Sequence, residues 1–111
     1  MQTNEAVNLI GIVGAGAMGS GIAQIASQAG QDVVLFDLSQ EALTTSSANL
    51  QKVMNRLIEK GKVTSDEATA IQGRIEKTTV ISRLKDCDLI VEAVVEDLEI
   101  KKRVFKRIEE I

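Results

Sequence analysis

The chain has 111 residues, a formal charge of −3 at pH 7 and 44% hydrophobic residues. That bounds it to one domain, with a core of mostly aliphatic side chains because Phe36 and Phe105 are its only aromatics. Mild acidity without a basic cluster argues against a nucleic-acid surface, and no apolar run approaches the roughly 20 residues of a membrane span. The absence of histidine removes any imidazole base, any His-containing triad and any His metal site.

The start, Met1-Gln2-Thr3-Asn4-Glu5, is polar and lacks the basic segment of a signal peptide. With a single cysteine, no internal disulfide can form, and a reducing, cytoplasmic setting is expected. The first apolar run predicts a strand over Asn8–Val13. It leads into Gly14-Ala15-Gly16-Ala17-Met18-Gly19, from which a helix over Ala17–Gly30 follows, with Gly30 as its stop. Met18, Ile22, Ile25, Ala26 and Ala29 recur at helical spacing and are expected to face a sheet. A second strand over Asp32–Phe36 ends at Asp37, eighteen residues after Gly19. Strand, glycine turn, helix, strand and acid in this order make a βαβ unit with the dinucleotide-binding fingerprint.

Each residue type has a physical reason. Gly14 allows a sharp turn out of the strand, Gly16 lets a pyrophosphate approach the backbone, and Gly19 lets helix and strand pack closely. The unpaired first amides of the helix and its dipole favour a phosphate there without any lysine. Ala15, Ala17 and Met18 complete the cradle. Asp37 can accept the adenosine ribose hydroxyls and would repel a 2′-phosphate, so NAD is expected over NADP. Leu38-Ser39-Gln40 offers no positive charge to change that preference.

A long helix is predicted over Ser39–Lys60, with Ser39 as N-cap and Leu43, Leu50, Val53, Met54, Leu57 and Ile58 as its apolar stripe. Gly61 ends it. Thr64 and Glu67 form a capping-box pattern opening another helix to about Ile75, with Ala68, Ile71 and Ile75 on one face. One crossover needs only one helix, so two imply a helical hairpin projecting from the nucleotide fold. Thr79-Val80-Ile81 and Asp88-Leu89-Ile90-Val91 read as third and fourth strands, short and apolar as buried parallel strands are. The fold class is therefore α/β: a Rossmann-type parallel sheet of about four strands, incomplete against the usual six, with a two-helix arm between strands 2 and 3.

Cys87, between Asp86 and Asp88, reads as structural because neighbouring acids disfavour a thiolate. The loop after the fourth strand, Glu92-Ala93-Val94-Val95-Glu96-Asp97, falls on the same sheet edge as the glycine turn, which makes Glu92 and Glu96 candidate ligand contacts. A last helix is predicted from Asp97 to the end. Its apolar stripe is Val104, Ile108 and Ile111 with Phe105 beside it, and Lys102, Arg103, Lys106 and Arg107 form a solvated face.

The segments Gly14 to Gln24 and Asp88 to Leu98, followed by Lys101, closely resemble the NAD-binding domain of the 3-hydroxyacyl-CoA dehydrogenases, and the two-helix insertion resembles that family's helical arm. The resemblance covers essentially the whole chain. It implies that Gly14–Gly19 hold the pyrophosphate and Asp37 the ribose of NAD, with Glu96 and Lys101 near its nicotinamide. It also implies that Lys60 meets the coenzyme A part of an acyl-CoA substrate. Where some members carry a serine on the arm, this chain has Val53. The implied reaction oxidises an (S)-3-hydroxyacyl-CoA to a 3-oxoacyl-CoA. The implied base pair of histidine and glutamate lies beyond Ile111, so residues 1–111 are expected to be the N-terminal part of a cofactor domain, with the rest of it and a helical catalytic and dimerisation domain elsewhere. The isolated chain is then expected to be inactive. An unfinished sheet edge invites association, and the full-length parent is expected to be a homo-oligomer, a dimer. Alternatives are a dehydrogenase of another 3-hydroxy acid and a non-catalytic NAD-binding module.

Overall fold

The computed structural model describes residues 8–93. The predicted helix from Asp97 onward, and with it Glu96 and Lys101, lies outside the described residues. Within them the chain runs β1 (Leu9–Val13), α1 (Ala17–Gln28), β2 (Asp32–Phe36), α2 (Gln40–Glu59), α3 (Ser65–Gly73), β3 (Ile75–Thr78), a short 3₁₀ helix (Ile81–Asp86) and β4 (Leu89–Glu92). The four strands are all parallel, in the order β3-β2-β1-β4. This is the Rossmann-type arrangement expected, with two helices between β2 and β3.

Register explains how the strands divide two cores. Ile12 lies between Leu35 and Val91, and Val13 between Phe36 and Glu92. Successive side chains alternate between faces. Ile12, Val33, Leu35 and Ile75 therefore meet the helical layer, where Ala23, Leu43, Leu50, Met54, Ala68 and Ile71 are buried with them. On the opposite face Val13, Val34 and Phe36 close against Leu84 of the 3₁₀ helix. At the start of β1, the Asp88 carboxylate accepts from the amides of Asn8 and Leu9 at 2.8 and 3.0 Å, joining β1 to the start of β4.

The helix caps follow the sequence signals. The Ser39 hydroxyl accepts from the Ala42 amide at 3.0 Å. Thr64 and Glu67 exchange both bonds of a capping box, at 3.0 and 2.7 Å. Gly30 and Gly61, with φ of 95° and 71°, reverse the chain after α1 and α2.

Three expectations are corrected. The third strand is Ile75–Thr78, four residues before the predicted Thr79-Val80-Ile81. Only Ile75 of its four residues is buried and Glu76 is exposed, so it alternates instead of reading as an apolar run. The Thr78 hydroxyl then accepts from the Val80 amide at 2.9 Å and turns the chain away, leaving Val80 exposed and Ile81 at the start of the 3₁₀ helix. Accordingly α3 stops at Gly73, and Ile75 contributes to the core from a strand.

The buried face of α1 is also rotated from the expected one. Gly19, Ala23 and Ser27 are buried, Ile22 and Ala26 are half-buried, and Met18 and Ile25 are 68% and 69% exposed. The small residues win because the helix lies close on the sheet, where Gly19 leaves no room for a larger side chain. The two-helix arm stands between β2 and β3 as expected, and its return end is fastened to α1: the Ser27 hydroxyl donates to the Ile71 carbonyl, and Arg74 donates to the Ser27 carbonyl at 2.7 Å.

Candidate dinucleotide site

Strand β1 delivers the chain into the turn at its carboxyl end. The Gly14 amide donates to the Phe36 carbonyl at 2.8 Å, and its φ of 108° lies where only glycine sits without strain. A Cβ on Gly19 would stand 1.7 Å from the Gly14 carbonyl oxygen, so the turn and the helix that leaves it share one contact. Gly16 differs from both. A Cβ there would meet nothing within 4 Å. Contacts within the described protein do not demand a glycine at 16, and the open space above it leaves the backbone approachable from outside. Gly16 is the N-cap of α1, where no side chain caps the helix and no acid stands in the first turn. The amides at Ala17 and Met18 therefore begin a helix whose positive end no residue of its own first turn neutralises. Open backbone and uncapped helix start fit a pyrophosphate.

Asp37 is drawn to this turn. Its Oδ2 accepts from the Ala15 amide and its Oδ1 from the Ser39 amide, both at 2.8 Å. An ionised carboxylate has about four acceptor positions, so each oxygen retains capacity for one further donor. That capacity is enough for two hydroxyl donors.

Beside the turn a cavity of about 300 Å³ opens between α1 and α2; Gly16, Ala17, Ser20, Ser46, Asn49 and Val53 are among its walls. Val53, the position that departs from the resembled pattern, thus faces this cleft. Lys60 does not: it is the exposed C-cap of α2, about 30 Å along the helix from Ser39 at ~1.5 Å per residue. Glu92, half-buried at the end of β4 and in register with Val13, adjoins the turn as expected. Cys87 lies under β1, where a Cβ on Gly11 would come within 2.8 Å of its Sγ. Burial, helped by Asp86 and Asp88 and opposed by Arg83, pushes its thiol upward. Its packing accounts for it. No group of three or more potential metal ligands occurs among the described residues, and none of their helices is long and apolar enough to cross a membrane.

Ser20 and Ser46 are the members that sequence reasoning missed. Ser46 is 4% exposed and 2.6 Å from the Ser20 hydroxyl, which donates to the Ala15 carbonyl at 3.1 Å. The available signal was a serine within the apolar stripe of α2, at helical spacing from Leu43 and Leu50.

A parallel sheet with a glycine turn, an open helix start and an acid closing the second strand defines a dinucleotide-binding α/β domain. Residues 9–111 match the family model described as 3-hydroxyacyl-CoA dehydrogenase, NAD binding domain, and the chain belongs to that family. It is 46% identical over 101 residues to a probable 3-hydroxybutyryl-CoA dehydrogenase of Deinococcus radiodurans, covering 91% of this chain and 36% of that protein. It is 35% identical over 108 residues to the 3-hydroxybutyryl-CoA dehydrogenase of Mycobacterium tuberculosis, covering 97% and 38%. The crystal structure of an (S)-3-hydroxybutyryl-CoA dehydrogenase from Ralstonia eutropha superposes with a TM-score of 0.88 at 36% identity, over 95% of this chain and 37% of that one. The chain thus spans little more than a third of the length of these relatives. NAD is the cofactor of the family, and the residues of the turn fit it.

Proposed function

We propose that residues 1–111 form the N-terminal part of the NAD-binding domain of an oxidoreductase that converts (S)-3-hydroxyacyl-CoA to 3-oxoacyl-CoA, in fatty-acid or short-chain acyl-CoA metabolism. The observation that carries the reading is the bond from the Ala15 amide to Asp37, which brings the ribose-selecting acid onto the phosphate-approachable turn. Bound NAD supplies a hydride acceptor. In this reading Gly14 to Gly19 hold the pyrophosphate through backbone amides. Asp37 accepts the adenosine 2′- and 3′-hydroxyls and disfavours a 2′-phosphate by charge. Glu96 and Lys101 serve the nicotinamide end, with Glu92 nearby, and Lys60 offers a cation to the phosphates of coenzyme A. Removal of the hydroxyl proton needs a base near the operating pH; this chain has no histidine, and in this reading the step falls to the part of the relatives' length that the chain does not span. The relatives' names, which specify 3-hydroxybutyryl-CoA, support an acyl-CoA substrate. The whole enzyme is then a homodimer at work in the cytoplasm.

The test is a pair of fluorescence titrations with NADH and NADPH. Asp37→Ala should weaken NADH binding about tenfold, the loss of two hydrogen bonds to a charged acceptor moderated by solvent, and should narrow the gap to NADPH. An unchanged preference would remove Asp37 as the selector. Assay of the full-length enzyme on 3-hydroxyacyl-CoA thioesters and on free 3-hydroxy acids separates the acyl-CoA reading from a dehydrogenase of another hydroxy acid. Activity on neither would point to a binding module.

A further inference from the structure

One chain of hydrogen bonds leaves helix α2 and returns to it. Ser39, its N-cap, donates its amide to Asp37 Oδ1 at 2.8 Å. Asp37 Oδ2 accepts from the Ala15 amide at 2.8 Å, the Ala15 carbonyl accepts from the Ser20 hydroxyl at 3.1 Å, and Ser20 lies 2.6 Å from the Ser46 hydroxyl on α2, two turns beyond Ser39. Counting protons sets the direction of the last bond. A serine hydroxyl carries one hydrogen. Ser20 gives its hydrogen to Ala15, so Ser46 must donate to Ser20.

The Ser20 bond is not ordinary helix back-bonding. Helical serines and threonines usually reach the carbonyl three or four residues earlier, as Thr69 does with the Ser65 carbonyl in α3. The Ser20 hydroxyl reaches one residue further, out of the helix, to the peptide in the middle of the glycine turn. Ala15 is thereby held on both sides, its amide by Asp37 and its carbonyl by Ser20. Ser46, buried between Leu43 and Leu50 on the packed stripe of α2, holds Ser20.

We propose that Ser20 and Ser46 are a positioning pair for the dinucleotide: Ser20 fixes the peptide that joins Ala15 to Gly16, and Ser46 fixes Ser20, so that this one contact from α2, and not the packing of the arm as a whole, tunes the affinity of the turn for NAD. This rests on the NAD reading of the turn. A preorganised turn binds without first ordering itself, which is where such a pair acts. Neither serine needs to touch the cofactor.

The test is a double-mutant cycle on the full chain, reading NADH affinity by fluorescence titration and folding by thermal denaturation. Ser20→Ala should weaken NADH about fivefold, the loss equivalent to one neutral hydrogen bond, and Ser20→Thr, which keeps the hydroxyl, should restore most of it. Ser46→Ala should weaken NADH by a smaller factor. In the Ser20→Ala background it should add nothing, because the two bonds act in series. NADH affinity unchanged in Ser20→Ala, a fall in melting temperature without a fall in affinity, or additive losses in the double variant would each overturn the pair. If Ser20→Ala does not fold, Ser46→Ala decides alone: wild-type affinity overturns the proposal. Failure of the wild-type chain to bind NADH is a separate outcome that overturns the cofactor reading and the pair with it.

Discussion

The glycine turn and the α2–α3 arm meet at one serine pair, yet they are built by different physics. The turn is determined by backbone. Gly14 needs its positive φ, Gly19 must lie against the Gly14 carbonyl, and Asp37 bonds main-chain amides. Side-chain volume matters there chiefly by its absence. The arm is determined by side chains: Leu43, Leu50, Met54, Ala68 and Ile71 bury an apolar stripe, and Ser39 and Thr64 cap the ends. The difference teaches which damage each region can absorb. A backbone-determined turn has no slack, whereas an apolar interface loses stability in proportion to what is removed and otherwise relaxes.

Substitutions can break or sharpen that contrast. The largest effect is expected from Gly19→Ala. Its Cβ would meet a backbone oxygen that cannot rotate away, so urea denaturation should show a loss of about 4 kcal/mol or more, at the severe end for overpacking, and NADH binding should vanish. Next is Met54→Ala, at a fully buried position of α2, with an expected loss of about 3 kcal/mol. In the folded protein its NADH affinity should stay within about twofold of wild type, as separated sites act independently. A large affinity loss would show that the arm and the turn are one cooperative unit. Thr64→Ala removes half of the capping box and should lower stability by about 1 kcal/mol without touching cofactor affinity. The smallest effect has the opposite sign. A Cβ on Gly21 meets nothing within 4 Å, and in the middle of α1 Gly21→Ala should stabilise the fold by roughly 0.5–1 kcal/mol. A loss instead would mean that something packs against that face of α1.

The same contrast decides what was legible in the sequence. The turn could be read almost residue by residue, because a glycine required by sterics and an acid required by charge leave few alternatives. The caps at Ser39 and Thr64 were legible for the same local reason: each bond spans three residues. The third strand was misplaced because Ile75 alone is buried while Glu76 is exposed, so Ile75–Thr78 does not carry the apolar run by which a buried strand is sought. The face of α1 was rotated because hydrophobicity pointed to Met18 and Ile25, while closeness of packing selected Gly19, Ala23 and Ser27. The fastening of α3 to α1 was not legible, because nothing in a linear pattern announces that the Ser27 hydroxyl will reach the Ile71 carbonyl 44 residues away.

By itself, then, the sequence determined the parts ruled by local sterics and charge: the βαβ unit, the glycine turn, the acid that closes it, the helix caps and stops, and membership in one dehydrogenase family. Only the tertiary structure decided the parts that depend on contacts between distant residues: strand order and register, the buried face of α1, the fastening of α3 to α1, and the meeting of Ser46 with Ser20 beneath the turn. Local rules act within a few residues and leave a mark in the string, whereas packing selects among partners that the string places tens of residues apart.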